Sequence, residues 1–235
     1  MSAGKTVTGR RVCEILSKAG LNIVGTKLTG AGRYRDVVSF RRAGATRIFD
    51  FVDVGLPSSV VPEEEFREAI RPLLSHISRL EPDFMVAETG ASPLEPYNGA
   101  TVVRELADKT RFTVLCASDP HAVLGVQTAF GPALKASIVS GPAANTSAAA
   151  DLVRQLCGLD SINLLNRTNY PELSRRLMDA LGLEEEALSD EARQLVEHPV
   201  REFALRYEPE ARQREGVFDE EGAPDTAGSL ELKPG

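Results

Sequence analysis

Three consecutive residues near the start of the sequence carry its clearest chemical signal. Gly4, Lys5 and Thr6 stand directly before a stretch whose apolar positions repeat at helical spacing. A Gly-Lys-Thr triplet that opens a helix is the second half of the pattern G-x-x-x-x-G-K-[ST], in which backbone N–H groups hold phosphate oxygens. The flanking residues that would add backbone N–H groups to such a loop are Ser2, Ala3 and Val7. The sequence therefore predicts that this segment binds the phosphates of a nucleotide.

The pattern gives each residue of the triplet a role. Lys5 is expected to meet the terminal phosphates and to act in catalysis, and the hydroxyl of Thr6 is expected to bind Mg²⁺. Gly4 lets the backbone approach the ligand without a Cβ in the way. The first glycine of the pattern, and the strand that braces such a loop, would both stand upstream of Met1. We therefore expect that the chain begins inside its own motif and that the first strand of its sheet is missing.

Further polar side chains follow predicted strands or loops at the positions where a nucleotide site would need them. Glu88 ends an apolar run and is predicted to act in catalysis by holding Mg²⁺, with the capping of the next helix as the alternative. Lys27 would neutralise a phosphate, take part in catalysis or bind a substrate carboxylate, unless it is only solvated. Asp36 is either a second Mg²⁺ ligand or the N-cap of the helix that follows it.

Two other loops are candidates for binding the rest of the ligands. Arg33 and Arg35 lie in a glycine-rich loop and could clamp a small anionic substrate, although such arginines often serve solubility alone. Asn166 lies in a loop after the last predicted strand, where an amide could bind the nucleotide base. The alternative for Asn166 is ordinary turn chemistry.

Strand and helix patterns alternate along the chain, and this alternation predicts an α/β fold with a mainly parallel sheet. The apolar run over residues 83–88 lacks alternation, which is typical of a strand buried on both faces. We predict a domain over residues 1–183, an acidic helical extension over 184–214 and a disordered tail over 215–235. The predicted strands cover residues 21–28, 47–52, 83–88, 112–116, 136–139 and 161–165, and the main predicted helices cover residues 5–19, 62–80, 99–109, 120–130, 146–157 and 171–183.

Composition narrows the partners and the compartment. The formal net charge is −7, and the excess of acid lies after residue 182, so no basic stripe indicates nucleic-acid binding. No apolar run reaches the roughly 18 to 20 residues of a membrane span, so no membrane partner is expected. The three cysteines are odd in number and widely spaced, which favours reduced thiols and a cytoplasmic protein.

The order of these residues along the chain resembles the order of the corresponding motifs in dethiobiotin synthetase and its phosphate-loop relatives. The resemblance rests on the segments Ser2–Thr6, Gly20–Lys27 and Glu88–Ala91, and it covers roughly residues 1–165. The chain is also similar to the molybdopterin-guanine dinucleotide biosynthesis protein B group. In that group a lysine ends the second strand and an Ala-Gly-Ala element follows a helix that carries an aspartate, as Asp36 and Ala43–Ala45 do here.

The resemblance implies a three-layer P-loop NTPase-like fold that binds ATP, or GTP as in the second group, together with Mg²⁺. It implies Lys5 and Thr6 in the loop, Lys27 near the phosphates or the substrate, and Glu88 at the metal ion. The corresponding activity is a ligase or NTPase reaction that activates a carboxylate or carbamate by phosphoryl transfer. The alternative is a nucleotide-dependent switch or accessory protein that delivers a cofactor or metal to a partner. Related folds often form dimers, so a homodimer is a further expectation.

Overall fold

Parallel strands alternate with helices through residues 3–183, which are the residues that the computed structural model describes. Ser2 and the two predicted C-terminal segments, 184–214 and 215–235, lie outside the described residues. The strands are β1 (Ile23–Thr29), β2 (Arg47–Asp50), β3 (Phe84–Thr89), β4 (Val114–Cys116) and β5 (Ile138–Ser140). The α-helices are α1 (Lys5–Lys18), α2 (Tyr34–Arg42), α3 (Glu63–Arg79), α4 (Gly99–Leu106), α5 (Pro120–Phe130), α6 (Ser147–Cys157) and α7 (Tyr170–Leu181).

The strands form two parallel groups. The first has the order β2-β1-β3, and the second joins β4 to β5. The α/β class and the parallel strand pairing are therefore as predicted. Among residues 3–183, no helix has both the length and the apolar character needed to cross a membrane.

Helices cover both faces of the strands. Successive residues of β1 point to opposite faces, so Ile23 packs with α1, α2 and α7 while Val24 packs with α3 and α4. Successive residues of β5 divide in the same way, because Ile138 packs near α7 and Val139 packs with α5 and α6. The described residues therefore form a layer of strands between two layers of helices.

Two helices join the two groups of strands. On one face, α1 places Leu16 in the cluster that includes β1, and Ile15 against the cluster that includes Ile138 of β5. On the other face, α4 places Val102 in the cluster on β1, and Val103 against the cluster on β4 and β5. Each group is thus attached to the other through helices that cover both.

Two predicted strands differ from the structure. The strand predicted over 47–52 ends at Asp50, because the Asp50 side chain accepts a hydrogen bond from the Val52 N–H and starts a 3₁₀ turn. The strand predicted over 161–165 is wrong. Ser161 forms only an isolated bridge to β5, and the Asn163 carboxamide accepts a hydrogen bond of 3.0 Å from the Leu165 N–H. That local turn competes with the ladder and ends the pairing.

β3 is less buried than the sequence predicts. Every residue of β1 is buried, whereas Ala87 in β3 is exposed. The reason is that β3 pairs with β1 on one edge only, and within residues 3–183 no strand pairs with its other edge. The prediction of a strand buried on both faces is therefore wrong for the central part of β3.

Candidate functional site

The N-terminus of α1 is open for a ligand. Gly4 adopts the left-handed conformation with φ of 89°, which favours glycine, and its carbonyl accepts the first helical hydrogen bond, 2.9 Å from the Thr8 nitrogen. No side chain caps this end among the described residues. The backbone N–H groups of the first turn, which include those of Lys5 and Thr6, therefore have no acceptor within the helix. Val7 belongs to the same turn, and its side chain is exposed.

Close backbone contacts hold this segment at the carboxyl ends of the strands. A Cβ on Gly141, just after β5, would overlap the carbonyl oxygen of Ala3 and would lie 2.9 Å from the carbonyl oxygen of Ala117, just after β4. A Cβ on Gly90, just after β3, would lie 3.7 Å from Cε of Lys5. The segment that begins at Ala3 thus lies across the ends of β3, β4 and β5, where ligands of parallel sheets bind.

Glu88 and Thr6 meet at this edge. The side chain of Thr6 forms a hydrogen bond with the Glu88 carboxylate, which is only 8% exposed. Burial raises the pKa of Glu88, and the Thr6 hydrogen bond and the charge of Lys27 oppose that rise. Among the described residues, none donates a hydrogen bond to the buried Oε2 of Glu88. A buried carboxylate oxygen beside a hydroxyl is a good ligand pair for a hard cation such as Mg²⁺.

Lys27 lies between two carboxylates at the same level of the sheet. The strand register pairs it with Asp50 on β2 and with Glu88 on β3. Its Nζ donates hydrogen bonds of 2.6 Å to Oδ2 of Asp36 and 2.8 Å to the carbonyl of Ala31. Burial also raises the pKa of Asp50. Even with the charge of Lys5 near Glu88, two ammonium groups among three carboxylates leave an excess of negative charge, which a cation at Glu88 would reduce.

Asp36 does not cap α2. Arg33 occupies the N-cap position, and Asp36 lies in the first turn of the helix with Oδ2 bonded to Lys27. The alternative of a capping aspartate is therefore wrong, because the buried ammonium offers a stronger, charge-assisted hydrogen bond. A second Mg²⁺ contact from Asp36 remains a prediction, and Lys27 already uses one of its oxygens.

Arg33 and Arg35 both have exposed side chains beside the loop that Lys27 holds. Nε of Arg35 lies 4.0 Å from Oδ1 of Asp36. The loop itself is anchored at Gly30, whose N–H donates a hydrogen bond of 2.8 Å to the buried hydroxyl of Ser59. The two guanidinium groups can therefore turn toward an anion while the loop that carries them is held in place. Their role as substrate ligands remains a prediction.

Asn166 makes its hydrogen bonds within its own turn. Its carboxamide oxygen accepts from the N–H of Thr168 at 3.1 Å and from the Thr168 hydroxyl at 2.9 Å. This is the turn chemistry that the sequence left open as the alternative. Neither of these two hydrogen bonds involves the segment at Lys5, and base binding by Asn166 remains a prediction.

Two contacts of the site were not predicted from the sequence. Asp50 was placed inside a longer strand, and only the register of β1 with β2 reveals that it faces Lys27. The Thr8 hydroxyl lies 3.4 Å from the Cys116 sulfur and links α1 to β4. Burial raises the pKa of the Cys116 thiol, so it is a poor nucleophile. Neither contact has a signal in the sequence, because both depend on residues far apart in the chain.

Within residues 3–183, no group of three or more His, Cys, Asp or Glu side chains could hold a metal ion by itself. A metal ion at Glu88 would therefore need the Thr6 hydroxyl, water and ligand oxygens as well. Mg²⁺ commonly binds in this way, through one or two carboxylates and the phosphates of its partner.

Comparisons of the chain with protein-family models, with curated proteins and with solved structures found no match. Inferences about function therefore depend on the residues and contacts described above.

Proposed function

We propose that this protein is a Mg²⁺-dependent, P-loop NTPase-like enzyme that binds a nucleoside triphosphate at the N-terminus of α1. The observation that carries the proposal is the meeting of Thr6 with Glu88, whose buried Oε2 has no hydrogen-bond donor among the described residues. This pair lies at the start of a helix that opens with Gly-Lys-Thr. The positive end of the helix and the metal-ligand pair would thus act on the same ligand.

The phosphates would bind to the first turn of α1. Its backbone N–H groups lack helical acceptors, and the helix dipole places partial positive charge there. Lys5 lies close enough to the ends of β3 and β4 for its positive charge to act on both Glu88 and Cys116. It would therefore add a full positive charge to the partial charge of the helix. An anion with several oxygens, such as a triphosphate, would satisfy these donors together.

Mg²⁺ would bind between the protein and the phosphates. Glu88 would coordinate it directly or through water, and Thr6 would exchange its hydrogen bond to Glu88 for a bond to the metal. A bound cation would also compensate the excess of carboxylates around Lys27. This neutralisation is the physical reason to expect that metal and nucleotide bind together.

The reaction that fits best is transfer of the terminal phosphoryl group to a carboxylate or carbamate oxygen, with release of the nucleoside diphosphate. Lys5 and Mg²⁺ would stabilise the charge on the transferred group, so that catalysis would consist mainly of positioning and electrostatics. Lys27, fixed by Asp36, would assist from the neighbouring strand. Arg33 and Arg35 would bind the small anionic substrate from the adjacent loop.

Calorimetric titration with MgATP and with MgGTP tests the proposal. We expect one nucleotide to bind, Lys5→Ala to weaken it by about tenfold or more, and Glu88→Gln to remove the Mg²⁺-dependent part of the affinity. Matched controls are Lys109→Ala and Glu64→Gln, which alter exposed side chains away from the site. Absence of binding to the unmodified chain, or equal binding by all four variants, would refute the proposal. Binding without turnover of any carboxylate would instead favour a nucleotide-dependent accessory protein.

A further inference from the structure

The segments that lead into four of the strands form a basic surface, which we call the basic edge. Residues 41–47, 79–83, 107–113 and 133–137 lead into β2, β3, β4 and β5, and together they contain seven Lys and Arg residues and three Asp and Glu residues.

Only part of this charge is explained by the helices. The negative end of the helix dipole accounts for Arg42 and Arg79, which lie in the last turns of α2 and α3. It does not account for Arg47, which is the first residue of β2, or for the exposed Arg111, which precedes β4. The basic edge therefore has an excess of positive charge beyond the one that the helix ends require.

One apolar cluster joins the basic edge across both groups of strands. Leu21 before β1, Phe84 at the start of β3 and Phe112 before β4 all pack against this cluster. β2 begins beside β1 in the first group. In the second group, the Thr113 N–H donates a hydrogen bond of 3.1 Å to the Ser137 hydroxyl, so β5 begins beside β4. The four basic segments therefore lie on the same side of the molecule.

The helix α7 ends at the basic edge. Its last residue, Leu181, packs against the same cluster as Phe112. Phe112 and Ser137 line an open groove of about 520 Å³ together with Asp179 of α7. The chain therefore leaves the described domain beside the segments that lead into β4 and β5.

The residues that follow are strongly acidic. Residues 184–191 contain five Asp and Glu residues and no Lys or Arg residue, whereas residues 192–235 contain ten acidic and six basic residues. Eight residues span at most about 26–29 Å, at about 3.3–3.6 Å per residue. This length is enough to cross the starts of neighbouring strands, which lie about 4.8 Å apart.

We infer that residues 184–191 bind to the basic edge of the same molecule, at the segments that lead into β4 and β5. Lys109, Arg111 and Lys135 are exposed there and have the opposite charge. Single exposed ion pairs are weak, but the covalent connection at Leu183 gives the segment an effective concentration of about millimolar beside this surface. Several weak pairs can therefore form together. This inference does not depend on nucleotide binding.

Carbodiimide cross-linking of the full chain, followed by mass spectrometry, tests the inference. The reagent joins a lysine Nζ to a carboxylate that it contacts. We expect Lys109 and Lys135 to be joined to residues 184–191. The yield should fall by about fivefold or more in 1 M NaCl, because the screening length decreases to about 3 Å.

Lys5 is the matched control for position. It is the first residue of α1, whose 14 residues span about 21 Å, and Ala19 after that helix packs against Met178 as Leu183 does. Lys5 is therefore within the length of the acidic segment but lies at the opposite edge of the strands. It should form about fivefold fewer cross-links than the lysines of the basic edge.

Charge variants test whether the attraction causes the contact. Arg111→Gln combined with Arg175→Gln should lower the yield at the basic edge by about threefold or more. Arg35→Gln combined with Arg71→Gln removes the same charge from exposed side chains elsewhere and should leave the yield unchanged. A mixture of isotope-labelled and unlabelled protein identifies links between two molecules. Yields that ignore salt or the first pair of substitutions, equal linking of Lys5, or links mainly between molecules would overturn the inference.

Discussion

At the scale of single residues, the most informative group is the carboxylate of Glu88. Its pKa lies above the ordinary value of 4.5 because of burial. A carboxyl group whose pKa is raised by folding stabilises the folded state at pH values below the pKa that it has in the unfolded chain. This contribution is lost as the pH rises through the pKa that it has in the folded state. At neutral pH the ionised group therefore destabilises the folded state, and a cation bound beside it would relieve this effect.

Replacement of Glu88 by glutamine tests whether the ionised carboxylate lowers the stability of the folded state. Glutamine has nearly the shape of the glutamate side chain and carries no charge at any pH. Glu88→Gln should therefore raise the melting temperature at pH 7 in the absence of Mg²⁺. The difference should disappear well below pH 4.5, where Glu88 is protonated in both states. Thermal unfolding of both proteins from pH 3 to pH 8 measures this dependence, with Glu64→Gln as the exposed control. A lower melting temperature of the Glu88→Gln protein at pH 7 would contradict the prediction.

Lys27 is the counterion of the site, and its removal should be costly. The residue is 4% exposed and bonds to Asp36 at 2.6 Å. Lys27→Met would leave that mostly buried carboxylate, whose side chain is 13% exposed, without its cation, so the free energy of unfolding should fall by about 3–5 kcal/mol. Adding Asp36→Asn should restore about 1–3 kcal/mol, because the two side chains act as a pair. Urea unfolding of the single and double variants measures the coupling.

The control for this cycle is Lys109→Met. Lys109 is exposed, so its replacement should change the free energy of unfolding by no more than about 0.5 kcal/mol. If the effects of Lys27→Met and Asp36→Asn simply add, the ion pair does not hold the loop at Ala31 to the sheet.

At the scale of elements, the position of the segment before α1 depends on the turn after β5. Gly141 has a φ of 84°, and a Cβ there would meet the backbone of both Ala3 and Ala117. Gly141→Ala should therefore lower the free energy of unfolding by about 1–3 kcal/mol. It should also weaken nucleotide binding, because the start of α1 must move.

Gly125 provides the matched control. It lies within α5, and a Cβ on it would meet nothing within 4 Å. Gly125→Ala should raise the free energy of unfolding by about 0.5–1 kcal/mol, because alanine loses less backbone entropy in a helix. Denaturant unfolding and calorimetry on both variants separate the two effects. Normal nucleotide affinity in a destabilised Gly141→Ala protein would show that the contact with Ala3 is only structural.

At the scale of the whole molecule, elements with local signals could be predicted from the sequence. The bounds of α5 agree with the prediction over 120–130, because Asp119 accepts a hydrogen bond from the Ala122 N–H and Pro120 begins the helix. The alternation of helices and parallel strands was predicted for the same reason, since each element carries its own apolar pattern. The placement of Lys27 and Glu88 at one edge followed from that alternation.

The contacts between distant residues could not be predicted. The pairing of Lys27 with Asp36 replaced the predicted helix cap, because only the folded loop brings the two groups together. Asp50 joined the site through strand register, which a single sequence does not specify. The exposure of Ala87 depends on which strands pair with β3, and this too is a property of the assembled sheet.

The packing of α7 against α1 sets a time scale for folding during synthesis. Leu177 of α7 lies in the same cluster as Cys13 and Leu16 of α1. Some 160 residues separate these partners along the chain, and a ribosome adds about 5 to 20 residues per second. The part of α1 that Leu177 covers therefore waits on the order of ten to thirty seconds for its partner. During that interval the nascent chain presents an apolar helix surface that a chaperone can bind, and limited proteolysis of stalled ribosome complexes would detect it.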